Sequence, residues 1–166
     1  ALYLWHEAMA LPSSCFNTNC ATQISAKHKG ICPNGWHIPT TQEFNELETY
    51  TISLINSSAT QYPCDINTIG FLRCADNNGT SQGGPKGAGR SLKQNGDNLT
   101  GFTLIMGGYR DAAGVFTGII GVTEIVTSTQ ASNILAASRY FGSSHNTIYN
   151  DNFNKLNGMF VRCLKD

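Results

Sequence analysis

The chain has 166 residues with 11 Lys and Arg against 11 Asp and Glu, and only 13% of it is charged, against roughly 25% in an average soluble domain. Neutral polar groups take that place: 16 Asn, 13 Ser and 16 Thr, besides 17 Gly. There is no basic excess for nucleic acid, no polybasic run for an anionic membrane surface and no apolar run near the ~20 residues of a membrane span. No signal peptide is visible. With 40% hydrophobic residues the chain can bury one core, so a single domain over residues 1–166 is expected.

Ala1 to Leu11 is apolar and aromatic (Leu2, Tyr3, Leu4, Trp5, Met9) and reads as a strand or short helix. Its abrupt apolar start is what a chain cut from a longer precursor would show. Pro12 to Gly30 reads as loop. The clearest helix follows at 41–55. Thr40 can cap it, with Glu43 three residues on completing a capping box, and Pro39 sits harmlessly before the cap. Phe44, Leu47, Thr51 and Leu54 recur at helical spacing as one apolar face, and Glu43, Glu46 and Glu48 complement the positive end of the dipole. From 56 to 100 Gly, Asn and Ser dominate, and a long irregular region is expected. Segments 101–106, 115–120, 122–127, 134–141 and 158–164 then read as strands. In the last, Met159, Val161 and Cys163 face one way and Phe160, Arg162 and Leu164 the other. The fold class is α+β: one main capped helix, a long loop region, and an antiparallel sheet in the C-terminal half.

The six cysteines, Cys15, Cys20, Cys32, Cys64, Cys74 and Cys163, point to an oxidising compartment, hence to disulfides and an extracellular or cell-surface location. Zinc is the rival use. No C-x-x-C pair occurs, however, and His28, Cys32 and His37 alone make a weak ligand set. Spacing does not choose a connectivity. Proximity favours Cys15 with Cys20, bracing a surface loop, and Cys64 with Cys74.

Gly84-x-x-x-x-Gly89-Arg90-Ser91 lacks the Lys of a phosphate-binding loop, and its flanks are loop rather than strand and helix. His6, His28, His37 and His145 lie in no recognisable nucleophile–base setting, and no two carboxylates form an evident hydrolytic pair. No enzymatic chemistry is expected and no cofactor is implied. Asp65, Asp76, Asp97 and Asp151, in Asn-rich loops, could ligate Ca²⁺, although Asp and Asn are also ordinary turn formers. Asn56, Asn78 and Asn98 stand in formal glycosylation sequons, which an Asn/Thr-rich chain generates by chance.

Four blocks carry a family likeness. Cys32-Pro-Asn-Gly-Trp-His-Ile-Pro-Thr40, running into Gln42-Glu-Phe-Asn-Glu-Leu47, is similar to a C-P-x-G-W-H-x-P signature followed by a capped helix. Gly101-Phe-Thr-Leu-Ile-Met-Gly-Gly-Tyr-Arg110 is similar to a G-F-x-x-x-x-G-G-Y-R block. Gly158-Met-Phe-Val-Arg-Cys163 is similar to a G-F-S-V-R-C close, and Leu2-Tyr-Leu-Trp5 to an L-Y-x-W segment. Together, in this order, they resemble the Fibrobacter succinogenes major paralogous domain family over nearly the whole chain. The resemblance implies a secreted or surface-displayed bacterial module of C-type-lectin-like fold, with no established activity. It also implies that Cys32, before the helix, pairs with Cys163 near the end. Two departures are evident. Thr123-Glu-Ile-Val-Thr-Ser-Thr129 lacks the family's mid-sheet aromatics, a possible stacking platform for sugars, and the strands upstream of L-Y-x-W are missing.

The expectation is a non-catalytic binding or adhesion module that contacts a surface glycan or protein ligand through loops 76–98 and 143–155. The binding residues singled out are Tyr149, Asn150, Asp151 and Asn152, where Tyr149-Asn-Asp is similar to the W-N-D motif of C-type lectins. No E-P-N-type partner motif accompanies it. The alternative is a structural subunit, such as a pilin-like head packing against identical subunits in a filament or surface layer.

Overall fold

Thr40 and Glu43 close the capping box: the Glu43 amide donates to Thr40 Oγ1 at 3.2 Å and the Thr40 amide to Glu43 Oε2 at 2.8 Å. The main helix, Thr41–Ile55, begins there as its sequence requires. The computed structural model describes residues 1–55, 72–73, 93, 98, 100–144 and 148–166. In chain order its elements are α1 (Trp5–Ala8), β1 (Trp36–His37), α2 (Thr41–Ile55), β2 (Leu72–Arg73), β3 (Gly107–Arg110), β4 (Phe116–Ile119), β5 (Val122–Gln130), β6 (Leu135–Gly142), β7 (Ile148–Asn154) and β8 (Leu164–Lys165). The class is α+β with strands predominating. Among the described residues no helix is long and apolar enough to cross a membrane.

One sheet of six strands runs in the order β2-β7-β6-β5-β3-β4, and β1 pairs with β8 in a small second sheet. The large sheet is mixed, which corrects the expectation of a wholly antiparallel one: β3 lies parallel to β5, with Gly108 opposite Thr123. The expected strand at 101–106 is displaced to β3, with only Leu104 of the earlier stretch making a bridge, to Lys93. Gly107 and Gly108 lie just past the end of the expected strand. Gly108 adopts φ +73°, and a side chain there would meet the Thr117 carbonyl at 2.5 Å, so only glycine admits the close approach of β4. The expected strand at 158–164 breaks into single bridges, from Gly158 to Arg110, Met159 to Tyr3 and Phe160 to Ile125, before β8. Its alternation survives in part, since Val161 and Cys163 pack with buried Met159.

Successive strand residues point to opposite faces, and the core divides accordingly. On one face Val126, Ala136 and Phe153 pack with Trp5, Met9 and Met159. On the other Ile125, Phe141 and Ile148 pack with Phe44 of α2 and Leu104. Trp5 is fully buried and its indole donates to the Thr127 carbonyl at 3.1 Å, fastening the N-terminal segment to β5. Cys15 bonds Cys20, and Cys32 bonds Cys163 across 131 residues. The first of these is no brace of a surface loop: both sulfurs sit in the core. The ammonium of buried Lys155 closes that region by donating to the carbonyls of Cys15, Thr18 and Asn133 at 3.1, 3.2 and 2.9 Å. The pair Cys64 and Cys74 lies outside the described residues.

Candidate binding groove

The face that α2 turns to the sheet is mixed: Phe44 and Leu47 pack in the core as the apolar periodicity predicts, and polar residues join them. Phe44, Asn45, Glu48 and Thr51 are buried, while Leu54 is 46% exposed. Their partner is Arg139 of β6, itself fully buried. Its guanidinium donates to Glu48 Oε1 at 2.8 Å, Asn45 Oδ1 at 2.7 Å, and the Thr41 and Ser138 carbonyls at 3.0 and 3.1 Å. It also lies over the Phe44 ring at 5.6 Å. Burial lowers the Arg139 pKa, and Glu48 opposes that loss. Three donated bonds to the helix, the one to Glu48 also an ion pair, therefore seat it on β6.

The first turn is held from the other side by His37, 1% exposed. Its Nε2 meets Glu43 Oε1 at 2.8 Å and its Nδ1 meets Asp166 Oδ1 at 2.7 Å. Only an imidazolium donates from both nitrogens at once, so this bridge is complete when His37 carries its second proton. For Glu43, burial pulls its pKa upward, but bonds from the Thr40 amide and hydroxyl and from His37 outweigh it and hold the carboxyl below its usual value. His28 is likewise structural, with Nε2 donating to the Met9 carbonyl at 2.7 Å. Within the C-P-x-G-W-H-x-P block, then, Cys32 and His37 both tie the C-terminal residues to the start of α2.

Between that first turn and β7 opens a groove of about 590 Å³. Thr41, Gln42 and Asn45 line it from the helix, and Thr129, Asn150, Asp151 and Asn152 from the sheet. The register explains the lining: Asn150 lies opposite Arg139 and Asn152 opposite Ala137, so both amides share the face on which α2 sits. The Thr41 amide donates to Thr129 Oγ1 at 3.1 Å, closing one end. Thr41 Oγ1 and Asn152 Oδ1 are buried without a hydrogen-bond partner. A buried polar atom left unpaired is costly, and both atoms belong to residues that border the groove. The groove presents amides and hydroxyls; Asp151 borders it, but it lies opposite Ser138 and so turns its carboxylate to the reverse face, and among the described residues no cationic side chain lines the groove.

Three of the four residues singled out from the sequence thus meet in this groove. The setting differs from the expected loop, because all four belong to strand β7, paired with β6 along its length. Tyr149 stands apart. It lies opposite Tyr140, the two rings edge to face at 5.4 Å. On that reverse face Glu124, 5% exposed, accepts a bond of 2.5 Å from the Ser138 hydroxyl. Burial pushes the Glu124 pKa up to about 7; the Ser138 bond opposes this and the Asp151 charge adds to it. Sequence reading passed over Glu124, Arg139 and Gln42. The Glu124 position, flanked by apolar β-branched residues, was the one available signal.

Of the loop 76–98, only Lys93 and Asn98 are described. Lys93 is buried and donates to the Gly142 and Ser143 carbonyls at 3.0 and 3.2 Å. The Asn98 side chain bonds the Thr103 hydroxyl and amide at 3.0 and 2.8 Å. Asn56, Asn78, His145, Asp65, Asp76 and Asp97 lie outside the described residues, as does Gly84 to Ser91. Among the described residues no group of three His, Cys, Asp or Glu side chains is placed to hold a metal ion.

The family model described as Fibrobacter succinogenes major domain matches residues 1–165. No curated protein and no solved structure matches the chain.

Proposed function

The chain belongs to the Fibrobacter succinogenes major domain family, and from that premise we propose that it is a non-catalytic extracellular binding module, displayed on a bacterial surface, that takes a hydroxyl-rich ligand such as a surface glycan into the groove between α2 and β7. The observation that carries this reading is the unpaired, buried pair Thr41 Oγ1 and Asn152 Oδ1 in a cleft lined by side-chain amides. Amides and hydroxyls match the alternating donors and acceptors of a sugar better than they match an apolar or anionic ligand. Among the described residues the one acid bordering the groove, Asp151, lies by register on the reverse face, whereas glycoside hydrolysis ordinarily employs two carboxylates. Its disulfides fit an oxidising compartment. A C-type-lectin-like arrangement is part of the proposal. It is supported by the Cys32–Cys163 link, by β1 pairing with β8, and by the main helix packed on one face of the sheet.

The test is calorimetry or array binding against bacterial and host-surface glycans, with the combined variant Gln42→Ala, Asn150→Ala, Asn152→Ala. Binding should fall by roughly tenfold or more while the urea midpoint at matched pH stays close to the parent. Undiminished binding by the folded variant would remove the groove from consideration.

A further inference from the structure

The second region that the fold does not use for itself is the β3–β4 hairpin. Strand β4 ends the sheet order and pairs only with β3, so its outer edge carries backbone donors and acceptors without a strand neighbour among the described residues. Along it the side chains are apolar and open to solvent: Val115 58%, Phe116 63%, Ile119 63% and Ile120 79% exposed, with Ile105, just before β3, at 63%. Sheet edges are normally blunted by Lys, Pro or inward charges. None occurs between Ala112 and Val122.

Nothing within the hairpin calls for these side chains. Phe116 lies opposite Arg110, and Ile119 opposite Gly107, whose open side is filled by the Phe160 ring. The turn geometry comes instead from Gly114, at φ +91°, and Gly108 and Gly118, at φ +73° and +70°, shape the two strands. At Gly118 an added side-chain carbon would meet Val122 Cγ2 at 2.3 Å. Ile120 is the strongest sign. It holds φ +62°, a left-handed backbone that disfavours a β-branched residue, while exposing most of its surface. Neither folding nor solubility selects isoleucine there. Burial against something else does.

We propose that the outer edge of β4 docks, antiparallel, against the same edge in a second copy of this chain, with Phe116, Ile119 and Ile120 packed across a two-fold axis. Two features point to a second copy. An edge strand is its own complement, so one patch supplies both sides of an isologous contact. With a net charge of zero, the chain brings no general repulsion to its own copy. The five side chains present on the order of 600 Å² of apolar surface, divided between the two faces of the hairpin because Phe116 lies opposite Arg110 and Ile119 opposite Gly107, against the roughly 800 Å² that each partner gives to a standard interface. The pair closes on itself and displays two grooves, which would raise avidity for a repeating ligand.

Sedimentation equilibrium of the whole chain over a concentration series tests this, alongside Ile119→Lys and Ile120→Gly. The parent should dimerise, Ile119→Lys should be monomeric, and Ile120→Gly should weaken the dimer by roughly tenfold or more while raising the melting temperature of the monomer. These opposite signs separate an interface residue from a structural one. A parent that stays monomeric throughout, a dimer unchanged in both variants, or open-ended assembly in place of a dimer would each overturn the proposal.

Discussion

The groove and the hairpin leave surface unsatisfied in opposite ways. In the groove the orphans are polar atoms, and the side chains around them come from distant stretches of chain, α2, Thr129 and β7. In the hairpin the surplus is apolar, the contacts are local, and a strained backbone at Ile120 carries the exposed side chain. A directional set of hydrogen-bond groups suits discrimination among small polar ligands, whereas a flat apolar edge suits a partner that can lay down a strand. On the two proposals above, the molecule separates recognition from association, and each is open to disturbance without the other.

The largest effect strikes both regions together. Cys32→Ser opens a link spanning 131 residues, for which chain entropy alone gives about 4–5 kcal/mol. That rivals the whole net stability of a marginal domain, so the variant should unfold at markedly lower urea, or fail to fold. Next comes Arg139→Ala, which leaves the Glu48 carboxylate buried without its cation and should cost about 3–5 kcal/mol. It should abolish ligand binding by freeing α2, yet its folded fraction should still dimerise through β4. If binding persists, α2 is not the groove's wall.

Glu124 sharpens the contrast by pH. Folded, it keeps its proton up to about 7; unfolded, it releases it near its ordinary 4.5. Between those values the folded state binds more protons, so stability falls as pH rises through this window and levels above it. Glu124→Gln should remove on the order of 3 kcal/mol of that fall, read as the difference between parent and variant in urea unfolding at pH 4.5 and pH 8. Dimerisation should be indifferent to the change. The smallest effect belongs to the hairpin: Ile120→Gly should stabilise the monomer by about 1 kcal/mol through relief of the left-handed backbone.

Some of this was legible in the linear chain. The capping box of Thr40 and Glu43 and the helix Thr41–Ile55 were, because the bonds that define them join residues three or four apart. The α+β class followed from hydrophobic patterning, and Tyr149, Asn150, Asp151 and Asn152 were singled out by the likeness of Tyr149-Asn-Asp to a W-N-D motif. The hairpin's exposed apolar residues were equally visible in the sequence, but read as ordinary strand. What hid was everything that needs two distant stretches at once. Strand β7 was taken for loop because Asn150, Asp151 and Asn152 are poor strand formers that favour turns. It is a strand because β6 supplies its ladder and Ile148 and Phe153 reach the two cores. Glu48 looked like a dipole-complementing surface acid, and became a buried anchor only through Arg139, 91 residues away. Capping, periodicity and turn chemistry act within a few residues, so sequence alone determines them. Burial of a charge, the face a helix turns inward and the convergence of a groove depend on long-range partners, and those only the tertiary structure decides.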